Sequence, residues 1–526
     1  MLAIIVGKLL VAVGRLLGKG SSTPGAVALR LCPTLDRRFV LPAVRVAVTG
    51  SSGKGSVSAL IAASLRQMGF SVVHNSEGSN MRAGIVAMLL AAADVRGRVS
   101  ADVVVTEVDE RSCKHVFPAF QPGFVVITNI TRDQPPRQVH TDYIFTEIER
   151  ALSGNELLLV NGDDPLLMRF GLPRVAGQQP YSSGQQAGQD VSAVEQDAVG
   201  AGQGSDAPSR RLLTYGLGKH RSMHKARHCG PDPHSFAPST TAKMGYATSE
   251  SGSTALTDTF LAASDFKTAE SRFDVFDAAF CPLCGQRLSY DYYLINSTGG
   301  FSCPEGHFSH RIDLAVSELR RGAADDGSAD TICLQDGPTI QANSRLLFNV
   351  FNVVAAYALL TQLPLGIDKE QAALALSQQA VSKKIFHAYR WRGRPTYVMS
   401  NKAENAATFD QSLLFAANLP GPLVLVVGWM EISRRYQADD ISWLYDVNFE
   451  LVAERLSAAI CTGPDAASIA VRLKYAEVDE RCIHVFADMD ARVAGALEAT
   501  EGSIVAVLNF DHVRPFIRLI QGEGAS

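Results

Sequence analysis

A chain of 526 residues with 46% apolar side chains is long enough for roughly three packed domains. Its formal net charge of −4 argues against a polyanion partner, so no nucleic-acid role is expected. Nine cysteines, two of them in a C-x-x-C, point to a reducing compartment and a metal site rather than a disulfide framework.

Met1 to Leu17 is mostly apolar, but Lys8 and Arg15 interrupt it and no small-residue cleavage site follows. It is too short and too charged for a membrane span. An amphipathic helix packed on the domain is expected, in preference to one resting on a membrane surface. Residues 22–45 read as a loop and a short strand. The chain is organised around the next stretch, Val46-Ala-Val-Thr-Gly-Ser-Ser-Gly-Lys-Gly-Ser56. An apolar strand breaks into a glycine turn, a lysine and hydroxyl residues follow, and a helical segment runs from Val57 to Met68. This is the layout of a phosphate-binding loop. Gly50 and Gly53 let backbone approach phosphate, while Ser51, Ser52 and Gly55 complete the turn. Lys54 supplies a positive charge, and Ser56 or Ser58 a hydroxyl for Mg²⁺. The pattern is G-x-x-G-K-x-S, since Val48 stands where the longer G-x-x-x-x-G-K-[ST] would have its first glycine.

Phe70 to His74 is a second strand candidate, and a polar loop from Asn75 to Gly84 leads to the apolar segment Ile85 to Ala93. Ala101 to Glu107 is a third strand that ends on the acids Glu107, Asp109 and Glu110. A carboxylate at the end of a buried strand beside a phosphate loop is placed to hold Mg²⁺. Equally, it could be an acidic helix start. Phe124 to Asn129 and Leu157 to Asp164 are the fourth and fifth strands, again ending in polar residues, Arg132 and Asp133 among them. Strands alternating with helical stretches predict a parallel α/β sheet with ligands at its carboxyl edge.

Residues 174–272 are dominated by Gly, Ser, Gln and Ala and read as a flexible insertion, with periodicity only from Arg211 to Leu217. His220, His224, His228 and Cys229 fall here without a helical setting. Cys281-Pro-Leu-Cys284 and Cys303-Pro-Glu-Gly-His307 then suggest a zinc ribbon over 278–312, with three clear thiolates. His307 is the fourth ligand of choice and His310 the reserve. Asn343 to Leu363 is a long helix whose Asn349 and Asn352 share a face, to reach a ligand or to cap a loop. From residue 385 onward, four short buried strands mark a second, smaller α/β domain.

These pieces together resemble the Mur ligases, and within them the MurT-type subunits of lipid II isoglutaminyl synthases. The resemblance rests on T-G-S-S-G-K at 49–54, G-S-N-M-x-x-G at 78–84, E-V-D-E at 107–110, T-N-x-x-R-D-Q at 128–134 and N-G-D-D-P at 161–165. It rests also on the inserted ribbon, F-x-Q at 409–411, D-I-S-W-L-Y-D-V-N-F-E at 440–450 and R-L-K-Y-A at 472–476. It covers nearly the whole chain outside 174–272. It implies an N-terminal lead-in over 1–45, a central ATP-binding domain over 46–375 and a MurT-type Rossmann-like domain over 385–526.

The resemblance further implies ATP, Mg²⁺ and Zn²⁺, and amidation of the α-carboxylate of D-glutamate in lipid II to D-isoglutamine through an acyl phosphate. Ammonia would come from a GatD-type glutaminase in a heterodimer. Lys54 would serve the phosphates and Glu107 would ligate Mg²⁺, while Asn80, Asn129, Arg132, Asp133 and Asn352 would position nucleotide and acyl phosphate. Asp440, or Asp446 as second choice, would complete the partner's Cys–His pair. The chain would be cytoplasmic, with the inner face of the cell membrane a further option, touching it through the lipid-linked substrate. Departures from the family pattern are Ser51, Ser52 and Gly55 in the loop, Glu404 for a Lys, Gln437 for an Asp, and Pro135-Pro136 after R-D-Q. Two alternatives stay open: a ligase that adds an amino acid, and a non-catalytic scaffold that keeps the fold.

Overall fold

A computed structural model describes residues 1–16, 22–75, 79–131, 140–172, 211–218, 278–295, 297–322, 329–379, 386–401, 405–429 and 441–522. Two helices lead in, α1 (Leu2–Leu16) and α2 (Thr23–Leu31). The first sheet then grows through β1 (Val44–Thr49), α3 (Lys54–Gln67), β2 (Val72–His74), α4 (Arg82–Ala92), β3 (Val103–Glu107), α5 (Cys113–Phe120), β4 (Phe124–Ile127), α6 (Thr141–Ala151), β5 (Leu157–Asn161), the short α7 (Pro165–Met168) and β6 (Arg211–Gly216). A hairpin of β7 (Ser289–Ile295) and β8 (Thr298–Ser302) stands apart as its own two-stranded unit. The sheet resumes with β9 (Leu314–Arg320), β10 (Asp330–Leu334) and β11 (Thr339–Ala342), before α8 (Leu347–Leu360) and α9 (Lys369–Ser377).

The strand order is β11-β10-β9-β6-β5-β4-β1-β3-β2. From β2 to β9 neighbouring strands run parallel, and β9-β10-β11 is an antiparallel edge. The four central strands are nearly unbroken runs of Val, Ile and Leu, buried on both faces because helices cover both sides. One cover is α3, α8 and α9, the other α1, α2, α4, α5 and α6. Helix α8 is buried almost all round, as its uniformly apolar sequence requires.

The second sheet contains β12 (Phe386–Trp391), β13 (Arg394–Asn401), α10 (Ala406–Ala417), β14 (Leu423–Gly428), β15 (Leu456–Thr462), α11 (Ala466–Tyr475), β16 (Ile483–Phe486), α12 (Ala491–Glu498), β17 (Ser503–Asn509) and α13 (Phe510–Gln521). Its order is β12-β13-β17-β14-β15-β16, with only the β12–β13 pair antiparallel. The sequence reading found four of these strands but not the β12–β13 hairpin at the edge. Those two carry polar and basic residues between their apolar ones, so they lack the continuous apolar signal of a buried strand.

The lead-in differs from expectation: 23–31 is helix, not loop. Pro24 suits the first turn of a helix, where its missing N–H costs nothing. Gly25, which looks like a loop residue, is required by packing. A Cβ there would overlap Ala83 O and lie 2.8 Å from Ala87 N, because α2 crosses α4 at that point. The periodic segment at the start does form a helix packed on the domain, with Ala3 and Ile4 buried. His220, His224, His228, Cys229 and most of the 174–272 segment lie outside the described residues. No helix among the described residues is long and apolar enough to cross a membrane.

Overpacking the α2–α4 crossing is a direct test of this arrangement. Gly25→Val should cost about 2 kcal/mol or more. A thermal melt of the variant indistinguishable from wild type would contradict the close crossing.

Candidate functional site

The phosphate loop is shaped by what lies behind it. Gly50 has φ +126° and Gly53 φ +81°, a region open to glycine. A Cβ on Gly50 would clash with Thr128 Oγ1 and lie 2.7 Å from Asn129 O; one on Gly53 would lie 2.6 Å from Asn352 Oδ1. The turn is therefore pressed between the end of β4 and the face of α8. Asn129 clamps it both ways, accepting from Ser52 N at 2.9 Å and donating to Ser52 O at 2.9 Å. Thr128 Oγ1 donates to Ser52 O at 2.6 Å. Ser51 Oγ donates to Thr131 O at 3.1 Å and accepts from Thr131 N at 3.0 Å. Ser51 thus spends its hydroxyl on loop shape, and Ser52 its backbone groups.

Lys54 opens α3. Its Nζ donates to Gly50 O, to Ser51 O at 3.3 Å, and to Glu110 Oε2 at 3.0 Å, in an ion pair whose side chains are 11% and 2% exposed. Glu110 was visible in the sequence only as one of three acids after β3. Its role as the buried counter-ion of the loop lysine emerges from the turn that folds 110–112 back over the loop. Just behind, burial pushes the Cys113 thiol up to about 12, so it packs as a neutral group against Thr49 Oγ1 at 3.4 Å.

Glu107 sits at the carboxyl end of β3. Asn75 fixes its backbone on both sides, Oδ1 accepting from Glu107 N at 2.8 Å and Nδ2 donating to Glu107 O at 2.9 Å. Asn80 Nδ2 donates to Glu107 Oε1 at 2.8 Å. The other oxygen, Oε2, lies 3.1 Å from where a Cβ on Gly55 would be. The carboxylate therefore faces the start of α3, in space left open because residue 55 is glycine. Ser58, the alternative hydroxyl, is buried and turned inward: it donates to Gly55 O at 3.2 Å and meets His74 Nε2 at 3.1 Å. Burial lowers the His74 imidazole to about 4, so that neighbour is neutral. Ser56, partly exposed on the first turn, remains the candidate beside Glu107.

A pocket continues from the loop. Thr128, Asn129, Thr131, Asn161, Asp164 and Asn352 give its polar wall, and Phe348, Phe351 and Ile295 its apolar one. Ser297 and Thr298, at the turn of the β7–β8 hairpin, close one side, so the ribbon insertion reaches the site. Asn349 is buried in the same helix as Asn352 but is not among the lining residues. Asn161 and Asp164 were legible only as a polar strand end. Burial pushes the Asp164 carboxyl up to about 7, and it accepts from Leu166 N at 2.9 Å. Its neighbour Asp163 is pushed up to about 6 by burial and accepts from Tyr292 at 2.9 Å, which ties the hairpin to the sheet. Arg132 and Asp133 lie outside the described residues.

The ribbon brings Cys281, Cys284, Cys303 and His307 together, with one donor atom from each within 4.8 Å of the others. Cys284 Sγ and Cys303 Sγ are 3.5 Å apart. Three thiols and an imidazole so gathered suit a closed, tetrahedral structural zinc site. His310 is occupied elsewhere, its Nδ1 meeting Phe301 O at 3.2 Å.

The second sheet meets the pocket through Asn405, which caps α10 by accepting from Thr408 N at 3.1 Å and donates to Thr131 Oγ1 at 3.2 Å. The segment 441–450 packs on α10, with Trp443 against Phe409 and Trp429. Arg472, 2% exposed, holds it by donating to Val447 O at 2.6 Å and Glu450 at 2.9 Å. Asp410 accepts from Asn448 N at 2.7 Å, and burial pushes its carboxyl up to about 7. Asp446 is exposed on the 442–446 turn, and Asp440 lies outside the described residues.

Family comparison follows the same division. Residues 48–189 match the Mur ligase middle domain and residues 403–510 the MurT ligase C-terminal domain. Among solved structures, MurF of Thermotoga maritima in complex with ADP is 13% identical with a TM-score of 0.54, over 94% of this chain and 84% of that one. A pseudomurein peptide ligase type C of Methanothermus fervidus is 15% identical with a TM-score of 0.57, over 93% and 80%. Fold and loop together define the class as Mur-ligase-like, with the Mur ligase middle domain beginning at the end of β1. The lipid II isoglutaminyl synthase (glutamine-hydrolyzing) subunit MurT of Staphylococcus aureus (strain COL) is 25% identical over 98% of this chain and 96% of its own length. The corresponding subunit of Streptococcus pneumoniae is 34% identical over 30% of this chain and 35% of its own. Over nearly its whole length, then, the chain is similar to MurT subunits, and the family match to the MurT C-terminal domain falls on its second sheet.

Two substitutions probe these buried charges. Glu110→Ala leaves the Lys54 ammonium without its buried counter-ion and should cost about 3 kcal/mol in denaturant unfolding; a loss near zero would mean the pair is solvated. Asp410 has a folded pKa raised above its unfolded value, so its contribution is fully present below the unfolded pKa and is lost as pH rises through about 7. Asp410→Asn keeps an acceptor without the charge. It should raise the melting temperature relative to wild type by about 2 °C or more at pH 8, with little gain at pH 5.

Proposed function

We propose that this chain is the synthetase subunit of a lipid II isoglutaminyl synthase in peptidoglycan synthesis. It would amidate the α-carboxylate of D-glutamate in the stem peptide to D-isoglutamine. The observation that carries the reading is the joining of a Mur-type phosphate loop to a MurT-type C-terminal domain at one pocket, through Asn405 and Thr131.

ATP would lie with its phosphates on the loop, where N–H groups at the start of α3 face the anion. Lys54 would exchange Glu110 for the β/γ-phosphates, moving its charge about the reach of one side chain. Glu107 and Ser56 would hold Mg²⁺, since a carboxylate and a hydroxyl suit a hard cation and Glu107 Oε2 faces that turn. A Mg²⁺ held by these two residues would supply positive charge to offset that of the phosphates. A substrate carboxylate oxygen attacks the γ-phosphorus, the bond to the β-bridging oxygen breaks, and ADP leaves. Ammonia then attacks the acyl carbon, phosphate leaves with the bonding pair, and a proton is lost from nitrogen. Asn80 holds Glu107, while Asn129 and Asn352 fix the loop and the pocket wall. Asn349 is kept as a nucleotide-side residue of α8, and Arg132 and Asp133 as positioning groups.

The ammonia source would be a GatD-type glutaminase in a heterodimer, with Asp440 or the exposed Asp446 completing the partner's Cys–His pair. Zinc held by Cys281, Cys284, Cys303 and His307 would be structural, fixing the ribbon so that the 297–298 turn keeps its place beside the pocket.

The test is amidation of lipid II by the purified chain with ATP, Mg²⁺ and free ammonia. Wild type should give amide product and ADP, and Lys54→Ala and Glu107→Ala should lose about a hundredfold or more. A folded, zinc-loaded wild type that neither amidates nor turns over ATP would favour the scaffold. Product that appears only with an added amino acid would favour an amino-acid ligase.

A further inference from the structure

Helix α1 packs by one face and leaves the other uncovered. On the packed face Ala3 and Ile4 are buried. A Cβ on Gly7 would come within 2.6 Å of Leu90 Cδ1, so α1 lies close on α4. Lys8 Nζ donates to Leu90 O at 3.0 Å and to Ala93 O, at the end of α4. The lysine that breaks the apolar run thus neutralises the negative end of a neighbouring helix.

On the opposite face Leu2, Ile5, Leu9, Val13 and Leu16 are exposed by 71%, 38%, 62%, 48% and 86%. Their spacing aligns them in one stripe along the helix. Five large aliphatic side chains in a row differ from the scattered apolar residues of an ordinary surface. Exposed basic residues gather near the start of the helix, beside its packed face. The turn at 94–98 abuts α1, since a Cβ on Gly97 would lie 3.1 Å from Ile4 Cδ1 and 3.4 Å from Arg38 O. Arg37, Arg38, Arg96 and Arg98 are exposed there. The nearby acids are engaged: Asp94 accepts from the backbone N–H of Arg96 and Arg98 at 2.8 Å each, and Asp36 pairs with Arg82 at 2.7 Å. Residues 1–45 carry seven Lys and Arg against one Asp, in a chain whose net charge is −4.

We infer that α1 and the arginines near its start dock this chain on an anionic phospholipid surface. The helix lies in the plane of the interface, its stripe among the upper acyl segments and the arginines among the headgroups. Charge selects this occupant. A second copy, meeting the same face by two-fold symmetry, would bring the same cationic residues and no opposite charge. A lipid surface supplies the apolar layer and the opposite charge together. The inference rests on this surface alone and not on the amidation reading. It goes beyond membrane contact through a lipid-linked substrate, because it needs no substrate.

The test is flotation of the full chain with vesicles of phosphatidylcholine alone and of phosphatidylcholine with phosphatidylglycerol. Wild type should float with the anionic vesicles, less so as salt rises. The double variant Leu9→Asp/Leu16→Asp should bind them about tenfold or more weakly, with an unchanged melting temperature because both side chains are exposed. Arg37→Glu/Arg96→Glu leaves the stripe intact and should also weaken binding to anionic vesicles. Wild type that stays with the unbound fraction, or aspartate variants that float as wild type does, would overturn the inference. A dimer in solution that the aspartate variant converts to monomer, without vesicle binding, would assign the face to a second copy instead.

Discussion

The close approach of β4 and α8 to the turn after β1 is the constraint on which the site depends. Gly50 and Gly53 have no room for a side chain, and their positive φ values aim the backbone of the turn. Everything that gives the loop its shape comes from elsewhere: Thr128, Asn129 and Thr131 from the segment just after β4, and Asn352 from a helix some three hundred residues later. The loop's shape is set jointly by the segment after β4, the turn after β3 and a distant helix. The pocket beside it inherits the same walls, which is why it opens at the carboxyl edge of the sheet.

Buried charge is the second theme. Lys54 and Glu110 are held together where water scarcely reaches, so neither can lose its partner without another charge to replace it. A triphosphate is such a replacement for the lysine. Near the pocket, Asp163 and Asp164 are pushed towards neutrality chiefly by burial, with the Asp163 charge adding to the shift of Asp164. Tyr292 satisfies Asp163 from the inserted hairpin. The ribbon is therefore connected to the sheet by a polar contact in the core as well as by apolar packing.

The two sheets are joined where the chemistry would lie. Asn405 caps a helix of the second sheet and reaches Thr131 of the first. Arg472 and the three aromatic rings of Phe409, Trp429 and Trp443 then hold the 441–450 segment on that same helix. The segments 409–411, 441–450 and 472–476 are parts of one packed unit, although the chain separates them by twenty or more residues.

The sequence by itself determined the class of the fold, the glycine turn between β1 and α3, the cysteine spacing of the ribbon and the resemblance to the Mur ligases. Each of these is a local signal: an apolar run ending in glycines, a cysteine spacing, a helix periodicity. It also carried Glu107, because an acid at the end of a buried strand is visible in one dimension. Only the tertiary structure decided what such residues touch. Glu110 as the counter-ion of Lys54, Asn129 as a clamp rather than a free side chain, and Ser58 turned inward all depend on contacts between distant segments. The helix at 23–31 was missed for the same reason, since Gly25 reads as a loop until α4 is laid across it. Likewise, the arginines of the 94–98 turn come near the start of α1 only because that turn folds against Ile4. Local propensity and spacing are written along the chain, but burial, charge pairing and close approach exist only between its parts.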